Sequence, residues 1–268
     1  MIVFAAIVPH PPLSVSEIGT DEDRKKLKKT LNSFEQIRKG LEKSQPDTII
    51  VISPHGKMKD FSFLVNSALD LSGDFFQFGF EKNFYYKNDM EIVDKLIFAC
   101  RSNNIPIDSH EDPIDYGTLI PLYHLTKNID PKIVHISFSL LGYDRHYFFG
   151  ELIRRVCEDA KTNKKEIKVE KRVAIIASAD LSHRLSKSAP LGYSLSAKFF
   201  DQKIIELLSG DSVQRLVGFR DEVIKDAAEC GFRSILILLG AINKKNYKFH
   251  LLSYESPFGI GHLTARFI

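Results

Sequence analysis

Short apolar runs rich in β-branched residues recur along the chain, and each one stops at polar or turn-forming residues. The four clearest runs lie at 2–8, 48–53, 132–138 and 172–178. Nearly continuous apolar runs of this length are typical of strands that are buried on both faces of a parallel sheet. Shorter runs predict further strands at 61–66, 105–108, 247–254 and 262–267.

Between the apolar runs, apolar residues recur at helical spacing. The first such segment begins at Thr20 and its acidic neighbours and ends before Pro46, as helix start and stop signals suggest. Further helices are predicted at 88–103, after Asp115, and at 145–160, 194–208 and 221–240. The segment 70–87 is expected to be irregular or hairpin-like, and the lysine-rich stretch 161–171 is expected to contain a loop.

The alternation of strands and helices determines the predicted fold class. No linker-like stretch rich in Gly, Ser or Pro divides the chain. We therefore predict one α/β domain over residues 1–268, with a central mixed, largely parallel sheet flanked by helices. In such a sheet, ligands bind at the carboxyl ends of the strands.

Composition narrows the functional class. The chain has 268 residues, 44% hydrophobic and 26% charged, and a net charge of only +3, which argues against a nucleic-acid partner. The three cysteines show no CxxC spacing, so a disulfide framework is not expected. Neither a membrane span nor a signal peptide is recognisable, and we expect a cytoplasmic protein without a membrane partner.

Three histidines follow three of the predicted strands. They are His10 after the run 2–8, His55 after 48–53 and His183 after 172–178. Because the carboxyl ends of parallel strands meet at one edge of a sheet, the three imidazoles are expected to converge on one metal or substrate. The metal site is therefore predicted at the strand ends.

The residues next to each histidine suit a side chain that is held in a fixed position. His10 precedes two prolines, and His55 stands between a proline and a glycine. Close to His183, Asp180 or Ser182 is expected to orient an imidazole or to cap a following helix, and both roles are compatible.

A metal that binds substrate or dioxygen is often held by two histidines and one carboxylate. The predicted helix 221–240 carries three candidates, Glu222, Asp226 and Glu229. Glu229 borders an apolar run, where an unpaired carboxylate is costly, but pairing with a lysine one turn away is the common alternative. From the residues alone the three are nearly equal candidates.

The order of several short motifs resembles the LigB-type catalytic subunit of class III extradiol ring-cleavage dioxygenases, and also the related Memo-like proteins. The resemblance spans almost the whole chain. Its motifs are His-Pro-Pro at 10–12, Ser-Pro-His-Gly at 53–56, Asp-Tyr-Gly-Thr-Leu-Ile-Pro-Leu at 115–122, Ser-Ala-Asp-Leu-Ser-His at 178–183, Glu-Cys-Gly at 229–231 and Pro-Phe-Gly-Ile-Gly at 257–261.

The resemblance implies a function and a division of roles. Fe(II) would be held by His10, His55 and Glu229, and His183 would be the acid/base residue beside the metal. The partners would be dioxygen and a small aromatic substrate of the catechol or aminophenol type, whose ring is opened. A homo-oligomer or a second subunit is a further expectation from this family.

Two departures from the family pattern keep alternatives open. Many members carry histidine where Tyr116 stands, so Asp115, Tyr116 and His124 are candidates for contacts to the ligands or the substrate. Memo-like proteins place a cysteine near the metal, and an inward-facing Cys230 would suit copper or zinc. We favour Glu229 over Cys230 as the third metal ligand. The alternatives are a Memo-like metal-binding or partner-binding protein and an enzyme that uses Zn(II) or another divalent metal.

Overall fold

The computed structural model describes residues 1–164, 167–210, 213–242 and 247–267. Within these residues, eight strands form one mixed sheet in the order β11-β12-β1-β10-β2-β7-β3-β6. The strands of this sheet are β1 (Ile2–Val8), β2 (Thr48–Ser53), β3 (Phe63–Asn66), β6 (Ile107–His110), β7 (Lys132–Ser137), β10 (Val173–Ser178), β11 (Phe249–Glu255) and β12 (His262–Phe267).

The four central strands run parallel and end at nearly the same level. β1 pairs with β10, β10 with β2 and β2 with β7, and the register joins Val8 to Ser178 and Ser53 to Ser137. The residues that follow these strands therefore share one edge of the sheet. The predicted α/β fold with a mixed, largely parallel sheet is confirmed.

Helices cover both faces of the sheet. Their bounds are α1 (Asp21–Lys26), α2 (Lys28–Ser44), α3 (Met90–Ser102), α4 (Tyr116–Leu125), α5 (Tyr143–Asp159), α6 (Leu195–Ser209), α7 (Val213–Val217), α8 (Asp221–Ala227) and α9 (Phe232–Ala241). The described residues form one hydrophobic core beneath α5 and α9 and another beneath α2 and α4. No helix among the described residues combines the length and apolar character that a membrane crossing needs.

The helix predicted over 221–240 is interrupted, and this interruption matters for the site. α8 ends at Ala227, Ala228 adopts a left-handed conformation with φ 51°, and α9 begins at Phe232. A Cβ at Gly231 would lie 2.4 Å from the Cβ of Ala179, so the chain passes against the end of β10 here. The break brings Glu229 and Cys230 to the sheet edge instead of leaving them inside a helix.

Three other elements refine the predictions. The helix expected between Thr20 and Pro46 is divided at Leu27 into α1 and α2. The segment 70–87 forms the hairpin of β4 (Asp70–Phe75) and β5 (Phe80–Lys87). The expected lysine-rich loop contains a second hairpin, β8 (Lys161–Lys164) and β9 (Ile167–Glu170), and its residues 165–166 lie outside the described part.

Candidate metal centre

His10 and His55 meet at the sheet edge. Their Nε2 atoms are 2.9 Å apart, and the two rings pack edge to face with centroids 4.8 Å apart. His10 is buried, with 1% of its surface exposed, and His55 is partly exposed. One imidazole is thus anchored inside the protein, and the other lies at the rim.

The hydrogen bonds of His10 fix its tautomer. The Ser178 hydroxyl donates to the backbone oxygen of Gly117, at 2.5 Å, and this uses its only hydrogen. Ser178 Oγ must therefore accept from Nδ1 of His10, which lies 2.8 Å away. Nε2 of His10 then presents a lone pair to the centre, as a metal ligand requires.

A third possible donor atom, Sγ of Cys230, lies beside the two imidazoles. Its Sγ lies 3.5 Å from Nε2 of His10 and 3.7 Å from the backbone oxygen of Asp180. His10, His55 and Cys230 each offer one donor atom, and these three atoms lie within 4.8 Å of one another. Such a set of two imidazoles and one thiol suits a divalent transition metal.

The preference for Glu229 over Cys230 as the third ligand stays a prediction, although the side chain that lies next to Nε2 of His10 is that of Cys230. The Glu229 carboxylate accepts a hydrogen bond of 2.5 Å from the backbone N–H of Phe232, at the start of α9. It therefore satisfies a free N–H group of its own helix terminus. The sequence could not distinguish these neighbours, because only the path of the chain between α8 and α9 decides which side chain faces the histidines.

Asp180 and His183 extend the donor cluster. Asp180, His183 and Cys230 form a second group whose donor atoms lie within 4.8 Å of one another, and the Asp180 carboxylate is 3.3 Å from Nε2 of His10. The backbone N–H of His183 donates to the backbone oxygen of Ala227, while its buried Nδ1 has no hydrogen-bond partner among the described residues. His183 thus lies beside the three-donor set, with one ring nitrogen uncommitted.

Ser182 takes a different position from the one expected. Its backbone N–H donates to the carboxylate of Asp201, and its buried hydroxyl has no hydrogen-bond partner in the part of the chain that the structure describes. Ser182 therefore positions the loop after β10 through its backbone. Ser178 orients the imidazole of His10, and the Asp180 carboxylate accepts from the backbone N–H of His10 at 3.2 Å.

Asp115 and Tyr116 form one wall of the centre. The Asp115 side chain caps α4 by accepting from the Thr118 N–H, and it also accepts from Ser53 and from Nε2 of His135. This fixes the first residue of α4, Tyr116, whose ring stacks on His55 at 4.5 Å with an interplanar angle of 19°.

The hairpin between β4 and β5 also reaches this wall. Phe78 at its tip packs edge-on against Tyr116, with ring centroids 5.4 Å apart. Other aromatic residues of the hairpin, Phe75 and Phe84, pack against each other and belong to the core beneath α2 and α4. The hairpin is thus part local core and part boundary of the candidate site.

His124 does not belong to the centre. Its Nε2 is 2.9 Å from the hydroxyl of Ser14, and its ring packs on Phe34 with centroids 4.6 Å apart. His124 lies in the last turn of α4, and its side chain fills the layer between α4 and α2. The expectation of a role near the metal is corrected accordingly.

Protonation in the metal-free protein fits ligation by neutral imidazoles. Burial lowers the pKa of His10 and lowers that of His55 to about 4, against the opposing influence of Asp180 and Asp115. Both rings are then neutral near pH 7. Burial raises the pKa of the Cys230 thiol well above its usual range, so a bound cation would have to displace its proton.

Several residues of the site were missed by sequence reasoning. Ser178 contacts His10, and His135 contacts Asp115. His262, which forms a β-bridge with Asp180, is buried, and neither of its ring nitrogens has a hydrogen-bond partner within the described ranges. His135 lies inside an apolar strand and His262 opens another, so neither stood out among nine histidines. Only the pairing of strands brings them near the centre.

The chain is an α/β protein that gathers histidine, cysteine and aspartate donors at one edge of its sheet, and comparison with known proteins identifies its family. The model of the catalytic LigB subunit of aromatic ring-opening dioxygenases matches residues 4–267. This chain belongs to that family.

Two known proteins show how far the likeness extends. Protein CA_C1420 of Clostridium acetobutylicum is 32% identical to this chain over an alignment that covers 96% of this chain and 55% of the relative. The chain thus spans about half the length of that curated relative. The crystal structure of the uncharacterized protein JW3007 from Escherichia coli K12 has the same fold, with a TM-score of 0.71, 15% identity and coverage of 98% and 99% of the two chains.

Proposed function

We propose that this LigB-family chain is a metal-dependent enzyme whose divalent cation is held by His10, His55 and Cys230. The observation that carries the proposal is the pair of contacts at Nε2 of His10, which lies 2.9 Å from Nε2 of His55 and 3.5 Å from Sγ of Cys230. A thiolate and two imidazoles favour zinc or copper over the iron(II) that two histidines and a carboxylate bind.

The surrounding residues suggest how the site would act on a ligand. A bound metal would supply Lewis-acid activation of the group that it coordinates. His183 would accept a proton from the coordinated group or donate one to it. Its Nδ1 makes no hydrogen bond to the described residues, and its side chain belongs to the adjoining donor group. Tyr116 and Phe78 would provide an apolar wall that excludes water from one side.

Ring opening with iron(II) and dioxygen is the second candidate. The match to the ring-opening family over residues 4–267 favours it, as does the position of His183 beside the donor set. A small catechol-type or aminophenol-type substrate would then be the partner. To test it, protein loaded anaerobically with Fe(II) is mixed with a panel of both ring types, and oxygen uptake and product colour are followed. Absence of turnover at full iron occupancy would argue against this candidate.

Metal binding itself is tested with two neighbouring substitutions. The affinities for Zn(II) and Co(II) are measured by competition with a chelator for the wild type, Cys230→Ser and Glu229→Gln. We expect Cys230→Ser to weaken binding by about 100-fold or more and to remove thiolate absorption from the Co(II) spectrum, while Glu229→Gln leaves both unchanged.

Thermal unfolding of the metal-free variants serves as the control for folding. The opposite pattern, with binding lost in Glu229→Gln and kept in Cys230→Ser, would restore the carboxylate ligand and contradict the proposal. Equal binding by all three proteins would place the metal elsewhere.

A further inference from the structure

A second group of donor atoms lies beside the first at the edge of the sheet. Asp180, His183 and Cys230 each offer one atom, and these three atoms lie within 4.8 Å of one another. Asp180 and His183 follow β10, and Cys230 comes from the turn between α8 and α9. A carboxylate, an imidazole and a thiol are all ligand types that a divalent transition metal accepts.

The two groups have only the Cys230 thiol in common. His183 does not belong to the first group, and neither His10 nor His55 belongs to the second. Because bonds between zinc and its ligands are about 2.0–2.3 Å long, donor atoms that share one ion lie at most about 4.6 Å apart. A cation bound in the first group therefore leaves His183 outside its coordination shell, and a second cation is needed to engage this imidazole.

The Asp180 carboxylate faces the centre without a compensating charge. It is buried, and among the described residues it forms no salt bridge with a lysine or an arginine. One of its oxygens lies 3.3 Å from Nε2 of His10, and this nitrogen carries a lone pair because Nδ1 donates to Ser178. The contact thus joins two acceptors inside the protein, where a carboxylate is costly unless it is paired or coordinated. A cation beside Asp180 would remove this cost.

Buried ring nitrogens near Asp180 also await a partner. An antiparallel β-bridge joins Asp180 to His262, so their side chains lie on the same side of the sheet. Both ring nitrogens of His262 and Nδ1 of His183 are buried and make no hydrogen bond to any residue that the structure describes. Buried polar atoms are rarely left unsatisfied in native proteins. These atoms beside a buried carboxylate indicate that a bound group completes this part of the centre.

We propose that Asp180, His183 and Cys230 hold a second divalent cation, which regulates the centre by occupying His183. This inference rests on the proposed function, in which the first cation is bound by Cys230 and two imidazoles and His183 transfers a proton. The Cys230 thiolate would bridge the two cations, which in two-metal sites lie about 3.5–4 Å apart. With both sites filled, His183 is a ligand and no longer transfers a proton.

The second cation is expected to bind more weakly than the first. Two divalent charges a few ångströms apart repel each other, and the thiolate that they share is already bound to the first cation. We expect the two affinities to differ by about tenfold or more. A low metal concentration then fills the first site alone, and an excess of metal fills both.

Cobalt(II) is the probe for the number and proximity of the bound ions. The metal-free protein is titrated anaerobically with Co(II) for the wild type, Asp180→Asn, His183→Ala and the matched control Ser182→Ala, since the Ser182 hydroxyl makes no hydrogen bond within the described ranges. We expect the wild type and Ser182→Ala to bind two ions per chain in two steps. The second ion should weaken the electron paramagnetic resonance signal of the first by magnetic coupling, and Asp180→Asn and His183→Ala should bind only one ion.

Occupation of His183 is measured separately, without reference to turnover. Diethyl pyrocarbonate modifies imidazoles that have a free nitrogen, and mass spectrometry identifies the modified histidines. His183 is partly exposed, and the exposed His250 serves as the internal control. We expect His183 to be modified in protein that carries one equivalent of Co(II) and to be protected in excess Co(II), while His250 reacts equally in both.

The outcomes separate the second site from the first. If the wild type binds one Co(II) at saturation, if Asp180→Asn or His183→Ala still binds two, or if His183 stays equally reactive in excess Co(II), the second site is overturned and the first stands. If Cys230→Ser binds Co(II) as the wild type does, the proposed function fails together with the second site. Thermal unfolding verifies that each variant is folded, and the coupling and protection measured on the wild type decide the question if a variant is not.

Discussion

The Nε2 atoms of His10 and His55 lie 2.9 Å apart although 45 residues separate them in the chain. The contact exists because β1 and β2 lie on either side of β10 and both run parallel to it. Two imidazoles that are neutral near pH 7 thereby face each other across the end of β10. The same strand provides Ser178, which orients His10, and leads to Asp180 and His183.

Replacing Ser178 with alanine is expected to weaken metal binding by about tenfold or more. The hydroxyl fixes the tautomer and direction of His10, and such outer contacts of metal-ligating histidines are typically worth 10–100-fold in affinity. Chelator competition with Zn(II) measures the change. Ser137→Ala is the matched control, because the Ser137 hydroxyl also lies at a strand end but makes no hydrogen bond to any residue that the structure describes. Equal affinities in both variants would show that Ser178 does not orient the ligand.

Gly231→Ala is expected to destabilise the fold by about 1–3 kcal/mol and to weaken metal binding as well. An added Cβ would lie 2.4 Å from the Cβ of Ala179 and 2.8 Å from the backbone oxygen of Asp180, so the segment carrying Cys230 must move outward. Denaturant unfolding and Zn(II) titration measure the two effects. In the control Gly210→Ala, the new Cβ would lie 3.6 Å from the backbone oxygen of Glu206, an ordinary contact and the shortest one given by the described residues. If Gly231→Ala leaves the Zn(II) affinity unchanged, the close approach of Gly231 to Ala179 does not position Cys230.

His124→Gln is expected to leave the metal affinity unchanged and to alter the acid stability. Burial lowers the pKa of His124 to about 3, below its ordinary value of 6.5. Between these values the unfolded chain binds a proton that the folded protein does not, so this residue makes stability fall as the pH decreases from 6.5 toward 3. The variant should lack that component in urea unfolding measured across this range. If the folded His124→Gln variant no longer bound metal, His124 would belong to the metal site and the prediction would be wrong.

Asp201→Asn is expected to change the pH dependence of stability in the opposite sense. Burial raises the pKa of Asp201 to about 7 from its ordinary 3.8, despite hydrogen bonds from Tyr254 and Ser182. Between pH 4 and 7 the folded protein holds a proton that the unfolded chain releases. The contribution of Asp201 is therefore present below pH 4 and declines as the pH rises to 7, by on the order of 1 kcal/mol per pH unit.

The measurement for Asp201 is the free energy of unfolding of the metal-free wild type minus that of Asp201→Asn. This difference should decrease with increasing pH up to about 7 and then level off, because both variants share every other titrating group. A difference that is flat from pH 4 to 7 would contradict a raised pKa for this carboxyl.

Strand ends could be predicted because a buried parallel strand has a distinct composition. The runs 2–8 and 48–53 agree with β1 and β2, and the positions of His10 and His55 just beyond them follow directly. The break between α8 and α9 could not be predicted, since Ala228 adopts a left-handed conformation that its residue type does not indicate. That single turn decides that Cys230, rather than Glu229, faces His10.

By itself the sequence determined the fold class, the edge of the sheet where chemistry is expected, and two of the candidate ligands, because hydrophobic periodicity and strand ends are local properties of the chain. The tertiary structure decided that Sγ of Cys230 lies beside the two imidazoles and that His124 lies away from them. These depend on contacts between segments far apart in the chain, and a side chain's burial and partners are set by such contacts rather than by its neighbours in sequence.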